Sequence, residues 1–376
     1  MEVKCVLKNL LKNTDYIALA AMLLLFIIGV VAIYSAGYMT DVNKTEYIKQ
    51  MIWFGITFCL MIVVWAFDYS IFGIAGYIIY GVNLILLVLV LFMPSLMGAS
   101  SWFNLGGMLY QPSEVMKIGF ILCMAKVMSR FLELNPNDKR KKILYVVLMV
   151  LLLGIPLVLI LLQPDFGTAV VYIFITAFMV FKLGLKYRYI FVAIGLGIIL
   201  IPVVYFFMLN PTQQERINVF LDPTLDPLGS GYNAIQSKIA VGSGMLFGTG
   251  FLKGTQTQYG YLPIKSSDFI FSVISEEFGF VGSVTVIILF TILLLRLLRI
   301  SKNARDYFAS FIVIGIVGMF TYHFIQNIGM SIGLLPITGV PLPFVSYGGS
   351  SLITNGVALA IALNISARKS NNMFMD

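Results

Sequence analysis

Apolar residues run along this chain in long blocks, with polar and charged residues confined to the short segments between them. A helix rises about 1.5 Å per residue, so crossing roughly 30 Å of hydrocarbon takes about 20 apolar residues, and the helix satisfies its own backbone hydrogen bonds on the way. Blocks of that kind predict ten spans, at 16–36, 50–67, 71–93, 113–129, 143–162, 167–183, 189–208, 268–295, 308–331 and 349–366. The pattern therefore predicts an all-α polytopic membrane protein with ten transmembrane helices, folded as a single domain over 1–376. An even number of spans places both termini on one side.

Composition agrees with the pattern. Of 376 residues, 59% are hydrophobic and 11% charged, whereas an ordinary soluble domain carries about 25% charged residues. The net charge of +8 is not spread along a face with interleaved aromatics, which argues against nucleic acid as a partner and for basic topology signals beside the lipid bilayer. Lys4, Lys8 and Lys12 precede the first span. Lys126, Arg130 and the run Lys139, Arg140, Lys141, Lys142 lie at the connection between the fourth and fifth. Lys182, Lys186 and Arg188 follow the sixth, Arg296, Arg299, Lys302 and Arg305 follow the eighth, and Arg368 and Lys369 follow the tenth. These clusters hold 18 of the 25 basic residues, all on one face of a ten-span topology, so both termini are expected in the cytoplasm. The first apolar block lacks a small-residue cleavage site and reads as a retained span rather than a removed leader. Cys5, Cys59 and Cys123 are scattered, which suits neither a disulfide framework nor a CxxC-type metal site.

The longest connection, from about Asn210 to Ser267 between spans 7 and 8, falls on the extracellular side. Connections of this length tend to carry function. It is rich in Gly and polar residues, and its partly apolar centre at Ile239 to Val241 suits a short amphipathic or re-entrant helix. Ionisable residues at membrane depth are costly and so are functional candidates by default. Glu114 and Lys117 are three apart on one helical face, suited either to an ion pair at the helix start after Pro112 or to neutralising a phosphate. Asp165 stands where a carboxylate can cap the sixth span, with a cation or substrate role as the alternative. His323 is the single histidine, so it reads as a buried, hydrogen-bonded residue rather than a metal site or triad. Glu276 and Glu277 belong to the same group of intramembrane charges. Asp268 ends the long connection immediately before an apolar run; local pattern alone favours a helix cap, and a partly desolvated carboxylate there could also act as a base. The uncharged stretch GLLPITGVPLPFVSYGGSS suits either a packed re-entrant turn or irregular backbone lining a cavity, where amides at Gly348 and Gly349 could meet an anion.

Several motifs occur in order along nearly the whole chain: Tyr34-Ser35-Ala36, Trp102, QPSExxK at 111–117, PDFGTA at 164–169, RxxxFLDPxxDPxGxGY at 216–232, Gln236-Ser237, GSG at 242–244, LPxxxSDFIFxxxxEExGxxG at 262–282 and NIGMxxGLLPxTGxPLPFxSYGGSS at 327–351. On these residues the chain resembles the shape, elongation, division and sporulation (SEDS) family, and within it the RodA-like branch. The resemblance implies a peptidoglycan glycosyltransferase of the bacterial cytoplasmic membrane. Such an enzyme polymerises lipid II into undecaprenyl-diphosphate-linked glycan at the outer face, for cell-wall elongation and rod shape. The implied partners are a class B penicillin-binding protein and the membrane proteins of the elongation complex. Asp268 matches the family's essential aspartate and is the implied catalytic base of an extracellular catalytic loop at about 209–268. Trp102, Glu114, Lys117, Asp165, Arg216, Gln236, Ser237, Ser346, Tyr347 and Gly348 are the candidate substrate-binding lining. Positive charge for the leaving diphosphate would come from Lys117, Arg216 or a divalent cation, Mg or Mn, and no other cofactor is implied. The chain departs from the family pattern at Ser100 and Ser101, where it has no arginines, and at Asn233, Met245, Ile264, Ser266 and Ser267. The competing classes are a lipid II flippase, which would carry polar groups through the full membrane depth, and a scaffold for the transpeptidase, which would leave Asp268 without a role.

Overall fold

The computed structural model describes residues 12–39, 45–94, 101–105, 108–135, 137–184, 195, 211–226 and 229–368. Twelve α-helices occur among them: α1 (Tyr16–Gly37), α2 (Glu46–Ala66), α3 (Phe72–Val90), α4 (Pro112–Glu133), α5 (Lys139–Leu162), α6 (Phe166–Lys182), α7 (Pro211–Leu221), α8 (Ser230–Ser243), α9 (Thr255–Gln258), α10 (Ile270–Lys302), α11 (Tyr307–Ser331) and α12 (Gly349–Ala367). A two-stranded antiparallel hairpin, β1 (Phe103–Leu105) with β2 (Met108–Tyr110), precedes α4 and pairs Phe103 with Tyr110. It was not expected, because three-residue strands carry too little alternation to register as a pattern.

Helices occupy nine of the ten predicted span positions; all of 189–208 except Gly195 lies outside the described residues. Seven are long and apolar enough to cross a membrane: α1, α2, α3 with its preceding turn, α5, α10, α11 and α12. The apolar helix α6 is shorter, at 17 residues. Helix α4 carries Glu114, Lys117, Lys126, Arg130 and Glu133, and it is buried along most of its length against α3, α5, α11 and α12. In its enclosed part Glu114 pairs with Lys117, and Lys126 lies over the Phe308 ring, whereas Arg130 and Glu133 pair at an exposed end.

Burial separates the centre from the lipid-facing periphery. The apolar windows of α11 and α12 are 83% and 78% buried, whereas that of α5 is 11% buried. Small residues allow the central helices to approach. A Cβ at Gly76 of α3 would lie 2.6 Å from Leu122 Cβ, and one at Gly119 of α4 would lie 2.7 Å from the Tyr80 backbone nitrogen. Two glycines thus set the α3–α4 crossing, as small residues do where lipid offers no hydrophobic drive between helices.

The connection from Asn210 to Ser267 is not an open loop where it is described. It contains α7, α8 and α9, and α8 covers the predicted helical centre at Ile239 to Val241. A glycine-rich strap, 244–254, then crosses α10 at a break. Gly279 has φ 65 and ψ −157, which divides α10 into 270–278 and 280–302. The strap satisfies the groups this break frees: Thr249 and Gly250 amides donate to the Glu276 and Glu277 carbonyls, and the Phe280 and Val281 amides donate to the Met245 and Leu246 carbonyls. The stretch 332–348 between α11 and α12 is a packed re-entrant turn, with Val340, Leu342, Phe344 and Val345 all buried.

Candidate functional site

Asp268 lies between α9 and α10, in a run of turns anchored at both ends. Its backbone amide donates to the Ile264 carbonyl, and its carbonyl accepts from Asn327 Nδ2 of α11 at 2.9 Å. Asn327 Nδ2 also donates to the Val340 carbonyl at 2.9 Å, so one amide side chain ties the Asp268 backbone to the re-entrant turn. The carboxylate faces that turn: a Cβ at Gly339 would lie 3.4 Å from Asp268 Oδ2. The residue at the N-cap position of α10 is Phe269, one after Asp268.

The neighbouring serines clamp the far side of the turn. Ser346 Oγ donates to the Ser267 carbonyl at 2.6 Å and accepts from the Leu342 amide at 2.8 Å, and the Tyr347 amide donates to the Ser266 carbonyl at 2.9 Å. Gln50 of α2 completes the clamp, donating to the Ser346 carbonyl at 3.0 Å and accepting the Gly348 amide at 3.2 Å. The Gly348 amide expected to meet an anion is therefore already bonded within the protein. Gln50 was missed by the sequence reading; the available signal was an amide at the first position of the predicted span 50–67, and the structure buries it fully.

Beneath the turn lies a buried polar cluster. Lys117 has no exposed surface, and its Nζ lies 2.7 Å from Glu114 Oε1 and 3.2 Å from His323 Nε2. His323 Nδ1 lies 3.0 Å from the Pro341 carbonyl of the turn. Both expectations for Glu114 and Lys117 bear on this geometry: they pair at the start of α4 with Pro112 in its first turn, and the pair is roofed by the stretch that faces Asp268. Asp165 caps α6 as expected, accepting from the Thr168 amide at 3.1 Å and hydroxyl at 2.8 Å, and its second oxygen accepts from Gln111 Nε2 at 2.9 Å. Close behind it, a Cβ at Gly167 would lie 2.6 Å from the Thr338 carbonyl, so α6 also abuts the same turn.

Glu276 and Glu277 are spent on structure at the α10 break. Glu276 accepts the Gln256 and Thr257 amides at 2.7 and 2.9 Å, capping α9, and Glu277 accepts from Ser35 and from Gln258 Nε2. Lys265 donates from its buried ammonium to the Thr257 carbonyl. Burial pushes its pKa below the ordinary lysine value, a shift opposed by Glu276, Glu277 and Glu46.

The turn 338–348 thus contains Ser346, Tyr347 and Gly348 and faces Asp268, while Lys117 is linked to it through His323 and Asp165 lies two residues from Gly167, which abuts it. Ser237 stands apart from it, fully buried and bonded to Ser272 and the Ser331 carbonyl, which makes it a packing residue between α8, α10 and α11. Gln236 and Trp102 are half-buried. The Arg216 side chain lies outside the described residues. Among the described residues no three His, Cys, Asp or Glu side chains gather as a metal site.

A family model for the cell cycle proteins FtsW, RodA and SpoVE matches residues 15–371. The peptidoglycan glycosyltransferase RodA of Treponema pallidum is 34% identical, covering 94% of this chain and 98% of that protein. The peptidoglycan glycosyltransferase MrdB of Escherichia coli is 41% identical over 71% of each chain. Among solved structures, a chain from work on the structural coordination of polymerization and crosslinking by a peptidoglycan synthase complex superposes with a TM-score of 0.79, at 32% identity over 95% of this chain and 99% of that one. The rod shape determining protein RodA of Thermus thermophilus superposes with a TM-score of 0.68, at 27% identity over 96% of this chain and 98% of that one.

Proposed function

This chain belongs to the FtsW, RodA and SpoVE family of cell cycle proteins, and from that premise we propose that it polymerises lipid II at the outer face of the cytoplasmic membrane with Asp268 as general base. It is a multi-pass membrane protein and a peptidoglycan glycosyltransferase. In the proposed reaction a sugar hydroxyl of one lipid-linked unit attacks the anomeric carbon of another, and undecaprenyl diphosphate leaves. With so good a leaving group, one base placed at the attacking hydroxyl is sufficient, whereas a retaining glycosidase needs two close carboxylates. The observation that carries this reading is the placement of Asp268, anchored through its backbone by Asn327 while its carboxylate faces Gly339.

Glu114, Lys117, Asp165, Ser346, Tyr347 and Gly348 form the wall around the turn in this proposal, with Trp102, Gln236 and Arg216 on the substrate approach. A class B penicillin-binding protein is the proposed partner, and the proposed topology is ten spans with both termini in the cytoplasm. The donor set does not suit a resident metal, since the described residues offer no cage of three ligands. Mg or Mn, where it takes part, would arrive with the substrate diphosphate, a mode these hard cations commonly use. A flippase is disfavoured because the polar motifs gather at the N-terminal ends of α4, α6, α10 and α12, not through the full depth.

Purified protein, with and without a class B transpeptidase, incubated with lipid II and a divalent cation, should yield glycan polymer on a gel. Asp268→Ala should make none while folding and binding the transpeptidase normally. Polymer from that variant would remove Asp268 from the base role.

A further inference from the structure

His323 itself is assigned no contact with substrate, yet its contacts join two parts of the site. Lysine ammonium has three donors and no lone pair. Lys117 Nζ, 2.7 Å from Glu114 Oε1 and 3.2 Å from His323 Nε2, must therefore donate to both, which makes Nε2 the acceptor. The imidazole proton then resides on Nδ1, where it donates to the Pro341 carbonyl 3.0 Å away. Burial to 1% exposure leaves water no share in these bonds, so the ring is fixed in one tautomer and one orientation. Two residues before Pro341 is Gly339, against which the Asp268 carboxylate is set, and between them Val340 gives its carbonyl to Asn327, which also holds the Asp268 backbone.

We propose that His323 is a positioning residue for glycosyl transfer: clamped by Lys117, it fixes the 338–341 turn against which the Asp268 carboxylate is set. The proposal rests on the base assignment for Asp268. On it, the Glu114–Lys117 pair serves the reaction from beneath the turn, by holding the imidazole that holds Pro341. A carboxylate that must meet a sugar hydroxyl at hydrogen-bond distance is sensitive to small displacements of its wall, and a shift of about 1 Å can cost on the order of 100-fold in rate. Substrate binding depends on wider surfaces and should change little.

Two amide substitutions separate this role from simple packing. His323→Asn keeps a donor near the Nδ1 position that can reach Pro341, whereas His323→Gln places its amide further along, towards Lys117. The full-length protein, with its transpeptidase partner, is assayed over a range of lipid II concentrations, and kcat and KM are normalised to folded protein. His323→Leu should lower kcat by at least about 10-fold with KM changed by less than about 3-fold, and Asn should recover most of kcat while Gln recovers less. Wild-type kcat in the Leu variant would overturn the proposal, as would Asn and Gln variants of equal activity. Asp268→Asn is run in parallel. Polymer from that variant defeats the base assignment and the positioning role with it, whereas an inactive Asp268→Asn beside a fully active His323→Leu defeats the positioning role alone.

Discussion

At Lys117 an ammonium with no exposed surface lies among Glu114, His323 and the walls of α4 and α11. Burying such a pair gains little over an apolar pair of the same size, but removing one member leaves an unanswered charge in a dry interior, at a cost of about 3–5 kcal/mol. Lys117→Met should therefore lower the thermal unfolding temperature in detergent sharply. The double variant Glu114→Gln with Lys117→Met should recover most of that loss, because no bare carboxylate remains. A double variant as unstable as the single one would show that the pair acts through shape and not through charge. Glu276 is a different case: its two oxygens accept two amides and the hydroxyls of Thr255 and Thr257 at the N-terminus of α9, with the Lys265 ammonium as an added attractive charge.

At the scale of elements, α10 shows how one residue shapes the outer face. Its 33 residues would make a straight rod of roughly 50 Å, well beyond the hydrocarbon thickness. The break at Gly279 ends the lipid-crossing part and turns 270–278 into protein, where nearly every residue is buried. A side chain at Gly279 would collide with the Gly248 amide nitrogen and force φ 65, ψ −157 on a residue that rarely adopts it. Gly279→Ala should cost about 1–3 kcal/mol from backbone conformation alone, with the collision in addition. The measurement is the folded yield and unfolding temperature of the purified variant. An unchanged temperature would mean that the strap and α10 separate without penalty.

For the whole molecule, the proposed ten-span arrangement predicts which faces meet which solution. After replacement of Cys5, Cys59 and Cys123, a cysteine at exposed Lys141 should react with an impermeant maleimide only from the cytoplasmic side, and one at exposed Tyr259 only from outside. Labelling of both from the same side would break the proposed topology. The turn 332–348 is irregular without being loose: Gln50 of α2 and His323, Gln326 and Asn327 of α11 satisfy its backbone groups where the membrane cannot, while Gly29 of α1 and Gly167 of α6 lie close against it.

Membrane class and the positions of the described spans were legible in the sequence, because hydrocarbon imposes length and apolarity locally, residue by residue. The helix start at Pro112 and the cap at Asp165 were legible because both depend on residues close in the chain. Other features were decided only by tertiary structure. Gln50 reaches Ser346 across 296 positions, Ser35 reaches Glu277 across 242, and Lys117 reaches His323 across 206. No local pattern encodes such pairings, because a buried polar side chain takes whichever partner the packing brings, and the packing is set by the small residues at the helix crossings. Hence the sequence could single out Asp268, and only the fold could show that the turn beside it is bonded from below by His323, whose local pattern carries no chemical role.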